Sequence, residues 1–251
     1  MQAYGAAFAR VYNLLWSGFA REVAPRLLEF YERSPIAPTE QSLLDLCCGT
    51  GQLALYFLER GYRVTGLDLS ESMLDHARAN ADIFIQAGQA RFVQGDAAAF
   101  TLDERFGLVV STFDALNHLP GLDALRACFA CVREVTVAGG SFIFDLNTRA
   151  GFQRWNSISV QESDDTLVVN RGIYDGGDKA YTRISGFIRE TEDLFQRFEE
   201  TVYETAFDLP AVRAALLDVG WQDAYFARAS DLAVPLDEPE REGRVFVIAA
   251  G

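Results

Sequence analysis

Leu43-Leu44-Asp45-Leu46-Cys47-Cys48-Gly49-Thr50-Gly51, residues 43–51, joins a short apolar run to a glycine-bearing turn, and the helix-like segment Gln52 to Arg60 follows at once. Gly49 and Gly51 have no Cβ, so the chain can turn sharply and a ligand can approach the backbone. A helix that begins near Gln52 points unpaired N–H groups at whatever lies in the turn. The stretch predicts a strand, a ligand-binding turn and a helix start, a combination that NAD-binding folds also contain.

A second acidic residue narrows the interpretation of this turn. Val64-Thr65-Gly66-Leu67-Asp68 reads as an apolar strand with a carboxylate at its C-terminal end. It follows the turn by roughly twenty residues, the distance at which a Rossmann-type site places the acid that accepts the ribose hydroxyls. The two segments together predict a site for a nucleoside-containing ligand.

Strands and helices alternate through the segment from Ser42 to Thr148. Such alternation predicts βαβ units, and therefore an α/β fold with a doubly wound, mostly parallel sheet and helices on both faces. Polar residues follow the strands at one rim, where parallel sheets bind their ligands. The predicted strands are Leu43–Leu46, Arg63–Leu67, Ala90–Gln94, Gly107–Thr112 and Gly140–Leu146, and the predicted helices are Gln52–Arg60, Ser70–Ala79 and Leu122–Val135.

The pattern changes after Asn147. Residues 155–205 alternate polar with apolar or aromatic residues, and turn signals interrupt them three times. This predicts an antiparallel β-meander of about four strands, inserted after the fifth strand and before a helix at Pro210–Val219. Four of its side chains either face a pocket beneath the new sheet or form cross-strand pairs on its outer face. These are Arg171, Tyr174, Tyr181 and Arg183.

The segment from residue 3 to residue 33 has helical periodicity with many aromatic residues. It predicts two helices, broken near Ser17-Gly18 or at Pro25. Their aromatic stripe either packs into the core or forms a flap over a ligand, with Tyr4, Tyr12 or Trp16 facing it. The predicted organisation is thus a helical flap over 1–40, a nucleoside-binding domain over 41–150 and 206–251, and the β insertion over 151–205.

The amino-acid composition limits the kinds of partner that the protein can bind. The formal net charge is −14 over 251 residues, which argues against a nucleic-acid or anionic-membrane surface because such surfaces need clustered Lys and Arg. No apolar run has the length of a membrane span, and we expect a cytoplasmic protein without a membrane partner. Cys128 and Cys131, spaced i and i+3 in a predicted amphipathic helix, fit buried and inert positions better than a redox or zinc role, and no metal-ligand constellation stands out.

Four segments, in order and spacing, resemble the class I, Rossmann-like S-adenosylmethionine-dependent methyltransferases. They are residues 43–51, the stretch Val64 to Ser70 with Met73-Leu74 behind it, Phe92 to Ala97, and Gly139 to Asp145. The resemblance covers about 110 residues, and the last two predicted strands, Trp221–Ala227 and Arg244–Ala249, complete the seven-stranded sheet of that family. The aromatic N-terminal segment and the insertion are similar to the small-molecule branch that includes sugar N,N-dimethyltransferases, where the insertion covers the substrate or forms a dimer contact.

The resemblance implies S-adenosyl-L-methionine as the cofactor. The turn would lie against its methionine portion, Asp68 would accept the ribose hydroxyls, and Asp96 would accept from the adenine amino group. Cys47 departs from the family pattern, which usually has glycine there. The implied cofactor contacts are Tyr12, Asp45, Cys47, Cys48, Gly49, Gly51, Asp68, Leu69, Met73, Asp96, Ala97, Ser111 and Phe113.

These observations predict methyl transfer to the nitrogen or oxygen of a small-molecule acceptor. In-line transfer from a sulfonium needs mainly proximity and alignment, with a base for some acceptors. His118 is the candidate base, and it could instead hold its loop or contact the cofactor. An alternative is a nucleoside-binding regulatory or partner protein without transfer activity, while the acid before the turn and Gly95-Asp96 disfavour an NAD-dependent dehydrogenase. The exposed edges of an added sheet favour a homodimer.

Overall fold

The computed structural model describes residues 4–16 and 18–251, so Ser17 and residues 1–3, which the flap prediction includes, lie outside the described residues. Two sheets are present in the described part of the chain. In chain order the strands are β1 (Ser42–Leu46), β2 (Arg63–Asp68), β3 (Ala90–Gln94), β4 (Phe106–Ser111), β5 (Thr136–Asn147), β6 (Ile158–Glu162), β7 (Thr166–Tyr174), β8 (Lys179–Arg189), β9 (Phe195–Thr205), β10 (Asp223–Ala227) and β11 (Arg244–Ala250).

The helices follow the predicted alternation, with short additions that the sequence pattern did not indicate. A 3-10 turn at Ala115–His118 follows β4, and another lies at Pro239–Arg241. The α-helices are α1 (Ala6–Leu15), α2 (Gly18–Glu32), α3 (Gln52–Leu58), α4 (Glu71–Asn80), α5 (Asp82–Gln86), α6 (Leu122–Glu134), α7 (Arg149–Phe152) and α8 (Leu209–Asp218).

The seven-stranded sheet has the order β10-β11-β5-β4-β1-β2-β3. Strands β1 to β5 pair in parallel, while β11 pairs antiparallel with both β5 and β10. The predicted doubly wound, mostly parallel sheet of seven strands is confirmed. Strand order reverses between β1 and its neighbour β4, and such a switch point is where open α/β sheets bind ligands.

Helices cover both faces of this sheet, as predicted. One core layer packs α6 and α8 against the sheet through side chains such as Phe129 and Leu216. The other packs α2, α3 and α4 through side chains such as Leu27, Phe57 and Leu74. The break in the N-terminal helical segment falls between Leu15 and Gly18, and Pro25 lies inside α2.

The inserted meander is confirmed as a separate antiparallel sheet in the order β6-β7-β8-β9. Its inner face packs against α1 through Phe8 and Val11, which meet Ile184, Phe198 and Val202. This packing seats α1 between the insertion and the nucleoside-binding half of the chain. No described helix has both the length and the apolar character needed to cross a bilayer.

The outer face of this sheet carries three of the four side chains whose orientation the sequence left open. Arg171 pairs directly across from Arg183, and Tyr181 lies across from Tyr203, with ring centroids 5.9 Å apart. Tyr174 is instead buried beside Phe152, at 6% exposure. The cross-strand interpretation therefore holds for Arg171, Tyr181 and Arg183.

Candidate functional site

A cavity of about 350 Å³ lies above the C-terminal ends of β1, β2 and β4. Three surfaces enclose it. The first, the loop wall, consists of Cys47, Gly49, Asp68, Leu69 and Met73. The second is α1 with the residues that flank it, contributing Tyr4, Phe8, Tyr12 and Trp16. The third, the insertion wall, consists of Trp155, Asn170, Thr182, Ile184, Val202 and Glu204. The segment after β4, from Thr112 to His118, and Arg244 complete the lining.

The turn after β1 has the backbone shape that its glycines predict. Gly49 and Gly51 have φ values of +54° and +76°, in the left-handed region that glycine adopts readily. Cys47 also has a positive φ of +60°, although it carries a side chain. The departure from glycine at Cys47 therefore costs backbone strain, of the kind that concentrates at functional sites. Burial raises the pKa of the Cys47 thiol, so it stays protonated.

Asp68 closes the turn from the neighbouring strand. Its Oδ2 accepts from the Gly49 N–H at 2.8 Å, and its Oδ1 accepts from the Ser70 N–H at 2.9 Å. An ionised carboxylate has about four acceptor positions, so each oxygen can still accept from a ligand hydroxyl. Burial raises the pKa of Asp68, while these backbone donors act in the opposite direction. The side chain is thereby fixed at the cavity wall with acceptor capacity to spare.

Asp45 has a different position from Asp68. Its side chain is 2% exposed, and Oδ2 accepts from the Ala54 N–H at 3.1 Å. Ala54 lies in the first turn of α3, so the carboxylate satisfies one of the unpaired donors at that helix start. Burial raises the pKa of Asp45 to about 8. Asp45 and Cys48 also line a smaller cavity next to the main one, which shares Tyr12, Cys47 and Phe113 with it.

Helix α1 is tied to the loop wall near both of its ends. The Ser70 hydroxyl donates to the Tyr4 carbonyl at 2.8 Å, and the Asn13 side-chain oxygen accepts from Asn80 at 2.9 Å. Between these anchors the Tyr12 ring lies 6.0 Å from that of Phe113. Tyr12 thus faces the cavity, as the flap interpretation expects.

His118 is held by contacts at both ring nitrogens. Its Nδ1 lies 2.9 Å from the Tyr203 carbonyl oxygen and its Nε2 lies 3.2 Å from the Tyr4 hydroxyl. A carbonyl only accepts, so Nδ1 donates to Tyr203, and Nε2 is left to pair with the Tyr4 hydroxyl. A proton released by the methyl acceptor could reach Nε2 only if the Tyr4 hydroxyl moved away or relayed it.

A buried ionic network lies behind the insertion wall. Arg244, on β11, donates to Asp114 at 2.7 Å and also to Asp145. Asn147 donates from Nδ2 to Asp114 at 2.8 Å and to Glu204 at 3.2 Å. Three carboxyl groups thus surround one guanidinium, and Asp114, Glu204 and Arg244 all reach the cavity surface.

Charge in this network is unevenly compensated. Burial opposes the charge of Arg244, but Asp114 and Asp145 more than offset that effect and keep its pKa above the ordinary value. Burial also raises the pKa of Glu204, and the neighbouring Asp114 raises it further. Two like charges at this distance disfavour each other, so Glu204 favours its protonated form here, and a cationic ligand beside it would favour the charged form.

The structure brings most of the predicted site residues together. The main cavity gathers Tyr12, Cys47, Gly49, Asp68, Leu69, Met73, Phe113 and His118, and the adjoining one adds Asp45 and Cys48. The remaining four line neither cavity, and their assignment as cofactor contacts stays a prediction. Gly51 precedes α3, Asp96 accepts from the Ala98 N–H at 2.8 Å, and Ala97 and Ser111 are 1% exposed.

Sequence reasoning missed the polar residues of the insertion wall and the arginine behind it. Asn170 is one of them, and its Oδ1 is shielded from water without a hydrogen-bond donor. Glu204 and Arg244 are the others. Glu204 stands in a strand with several exposed charged residues, and only its alternation with the buried Phe198 and Val202 on the inward face could have singled it out.

The cavity fits S-adenosyl-L-methionine on the chemistry of its donors and acceptors. Asp68 has free acceptor positions for two ribose hydroxyls, and the turn at Gly49 leaves the backbone open to a ligand. The carboxyl groups of Asp68, Asp114 and Glu204 suit a ligand that carries positive charge. Thr50, at the smaller cavity, has a buried hydroxyl without a partner in the described chain.

Comparison with known proteins identifies the family of the chain. Residues 43–140 match the family described as "Methyltransferase domain". The chain is 30% identical over 199 residues to dTDP-3-amino-3,6-dideoxy-alpha-D-glucopyranose N,N-dimethyltransferase of Streptomyces fradiae, covering 75% of this chain and 68% of that protein. It is 29% identical over 234 residues to dTDP-3-amino-3,4,6-trideoxy-alpha-D-glucopyranose N,N-dimethyltransferase of Streptomyces venezuelae, covering 86% and 94%.

The fold also matches a solved structure over nearly its whole length. A crystal structure of an S-adenosylmethionine-dependent methyltransferase from Clostridium acetobutylicum superposes with a TM-score of 0.77. That match has 22% sequence identity and covers 97% of each chain. The shared architecture includes the insertion as well as the seven-stranded sheet.

Proposed function

Because the chain belongs to the class I, S-adenosylmethionine-dependent methyltransferases, we propose that its acceptor is a small molecule, of the amino-sugar type, which it methylates on nitrogen. The observation that carries this proposal is a single cavity in which the loop wall faces the insertion wall. S-adenosyl-L-methionine supplies the methyl group from its sulfonium. The chain supplies alignment, because α1 and the insertion hold an acceptor against that group and exclude water.

Specific residues then have defined tasks in this proposal. Asp68 and the backbone at Gly49 hold the nucleoside and methionine portions, with Leu69 and Met73 beside the adenine. Tyr12 and Phe113 cover the sulfonium side. His118 orients Tyr4 at the acceptor side, a task that its two ring contacts favour over proton removal from the acceptor.

The direct test is formation of S-adenosylhomocysteine with a defined acceptor. We expect turnover with dTDP-3-amino-3,4,6-trideoxy-α-D-glucopyranose, the acceptor named for one relative, or with related primary and secondary amino sugars. The matched control is the same sugar with a hydroxyl in place of the amine. Cofactor binding without product across amine, hydroxyl and carboxyl acceptors would instead support the nucleoside-binding regulatory protein.

A homodimer through the insertion is part of this proposal. The outer face of the four-stranded sheet exposes apolar side chains beside charges of both signs. Its edge strands in the described chain are β6 and β9, and Asn117 and His118 cover the C-terminal end of the β9 edge. Exposed apolar patches and unpaired edges of this kind are covered in many oligomers. The exposed apolar residues of this face, here called the outer face, are Ile158, Val160, Ile173, Tyr181, Phe187, Phe195 and Tyr203.

We place the enzyme in the cytoplasm without a nucleic-acid partner. All four cysteines are free, and none of the described residues pairs them in a disulfide, which suits a reducing compartment. The formal charge of −14 disfavours phosphate backbones. Fractionation of the native host, and the absence of binding to duplex DNA at low salt, check these two statements.

A further inference from the structure

The insertion wall contains one carboxyl group that no cation of the described chain pairs with directly. Glu204 is 4% exposed; Asn147 donates to its Oε2, and its other close polar neighbour is the carboxyl group of Asp114. Burial raises the pKa of Glu204, and this like charge raises it further. Arg244 satisfies Asp114 and Asp145 instead. A buried carboxyl group with so few donors is costly unless a further partner arrives. Because Glu204 lines the cavity, that partner can be a ligand.

An acceptor without a donor in the described chain also lies at the same wall. Asn170, on β7, directs its Oδ1 to a position shielded from water, and the residue lines the same cavity. The surrounding side chains are Ile184 and Val202, which are apolar, and Thr182. The wall therefore presents oxygen acceptors in an apolar setting, which matches a ligand rich in N–H or O–H donors and carrying positive charge.

We propose that Glu204 binds the amino group of the acceptor, accepting hydrogen bonds from its N–H groups and directing the nitrogen lone pair toward the loop wall. This inference rests on the proposed function and assigns a substrate-binding residue to it. When the nitrogen is methylated, its new bond to carbon forms as the bond from carbon to sulfur breaks, and the electron pair of that bond stays on sulfur. The positive charge passes to nitrogen, next to Glu204.

Electrostatics gives Glu204 an effect on rate as well as on binding. Burial raises the pKa of Glu204 and so favours its neutral form, and a cation beside it favours the carboxylate. A carboxylate beside a centre that becomes positive stabilises the transition state more than the ground state. A hydroxyl acceptor gains less from the same carboxylate, because its oxygen has one donor where a primary amine has two. Glu204 would thus distinguish amines from alcohols of the same shape.

The test uses sinefungin, a cofactor analogue that carries an amine where the methyl-bearing sulfonium would be, and S-adenosylhomocysteine, which carries no group there. Calorimetry measures the ratio of the two affinities. We expect Glu204→Gln to lower the preference for sinefungin by about tenfold, the scale of one buried hydrogen bond to a charged group. Affinity for S-adenosylhomocysteine should change less than about twofold. Glu199→Gln, on the opposite face of β9, should leave both affinities unchanged.

Two outcomes would overturn the assignment. One is a Glu204→Gln protein that keeps the wild-type ratio, and the other is one that weakens both compounds equally. Should that variant fail to fold, Glu204→Asp decides: retracting the carboxylate by one methylene lowers the ratio severalfold, and an unchanged ratio contradicts the inference. A wild-type protein that binds neither compound would overturn the proposed function itself, a result distinct from either of these.

Discussion

At the scale of single residues, the two acids that the sequence singled out have different tasks. Both were predictable as strand-end carboxylates, because each follows an apolar run at a spacing typical of nucleoside sites. Only the structure shows that Asp68 faces the cavity while Asp45 binds the backbone of α3. A strand-end acid can cap a helix or bind a ligand, and its rotamer, which the sequence does not reveal, decides between them.

Asp45 gives the protein a specific pH dependence. Its pKa is raised by burial to about 8, against about 3.9 in an unfolded chain. Between these values the folded chain holds a proton that the unfolded chain has released, so stability falls as pH rises from about 4 to about 8, by at most about 1.4 kcal/mol per pH unit for one group. We expect Asp45→Asn to flatten this fall.

Thermal or urea unfolding between pH 5 and 9, without cofactor, measures that slope. Asn can still accept from the Ala54 N–H, so the helix contact is retained. Asp75→Asn is the control, because its carboxylate is exposed on α4. If Asp45→Asn and wild type lose stability in parallel over this range, Asp45 is not buried as described.

At the scale of elements, hydrophobic periodicity located most strands to within two residues. It failed at the start of β5, where Val137 to Gly140 lack an apolar pattern and the register with β4 shifts. It also missed α5 and α7, which have only 5 and 4 residues. Segments this short carry too few residues to show a period, and their positions depend on tertiary contacts.

The start of α4 was predicted at Ser70, and this residue also connects α4 to the segment before α1, which can be tested. The Ser70 hydroxyl accepts from the Met73 N–H at 3.3 Å and donates to the Tyr4 carbonyl at 2.8 Å. Ser70→Ala removes both bonds, and we expect a loss of about 1 kcal/mol in unfolding free energy together with faster amide exchange in α1. Ser72→Ala, inside α4, is the matched control. Equal exchange in α1 of both variants would show that Ser70 does not anchor it.

At the scale of the whole molecule, the sheet topology could be predicted from the sequence, but the buried ionic network around Arg244 could not. βαβ alternation restricts the sheet to a few arrangements, whereas Arg244 meets Asp114 across 130 positions of sequence and Asn147 meets Glu204 across 57. Such pairs leave no local pattern. The insertion was recognisable as a sheet from the sequence. Only its packing on α1 shows which of its two faces forms the insertion wall.

The exposed apolar residues of the outer face predict that two copies of the chain form a dimer. Phe187, a 43% exposed residue of this face, would be buried between two copies, and Phe187→Lys would place a charge there at a cost of several kcal/mol. Light scattering at tens of micromolar is expected to give a dimer for wild type and a monomer for Phe187→Lys. Ile83→Lys, at an apolar position on α5 that is 70% exposed, should remain dimeric. A monomeric wild-type mass would contradict the assembly.

The central claim is that the turn after β1 and Asp68 form the cofactor site, and calorimetric titration with S-adenosylhomocysteine tests it most directly. Asp68→Ala removes a charged acceptor of ribose hydroxyls, and the loss should be about tenfold or more in affinity. Asp75→Ala, on the exposed face of α4, should bind as wild type does, and melting curves should show both variants folded. Micromolar binding that survives Asp68→Ala would contradict the site.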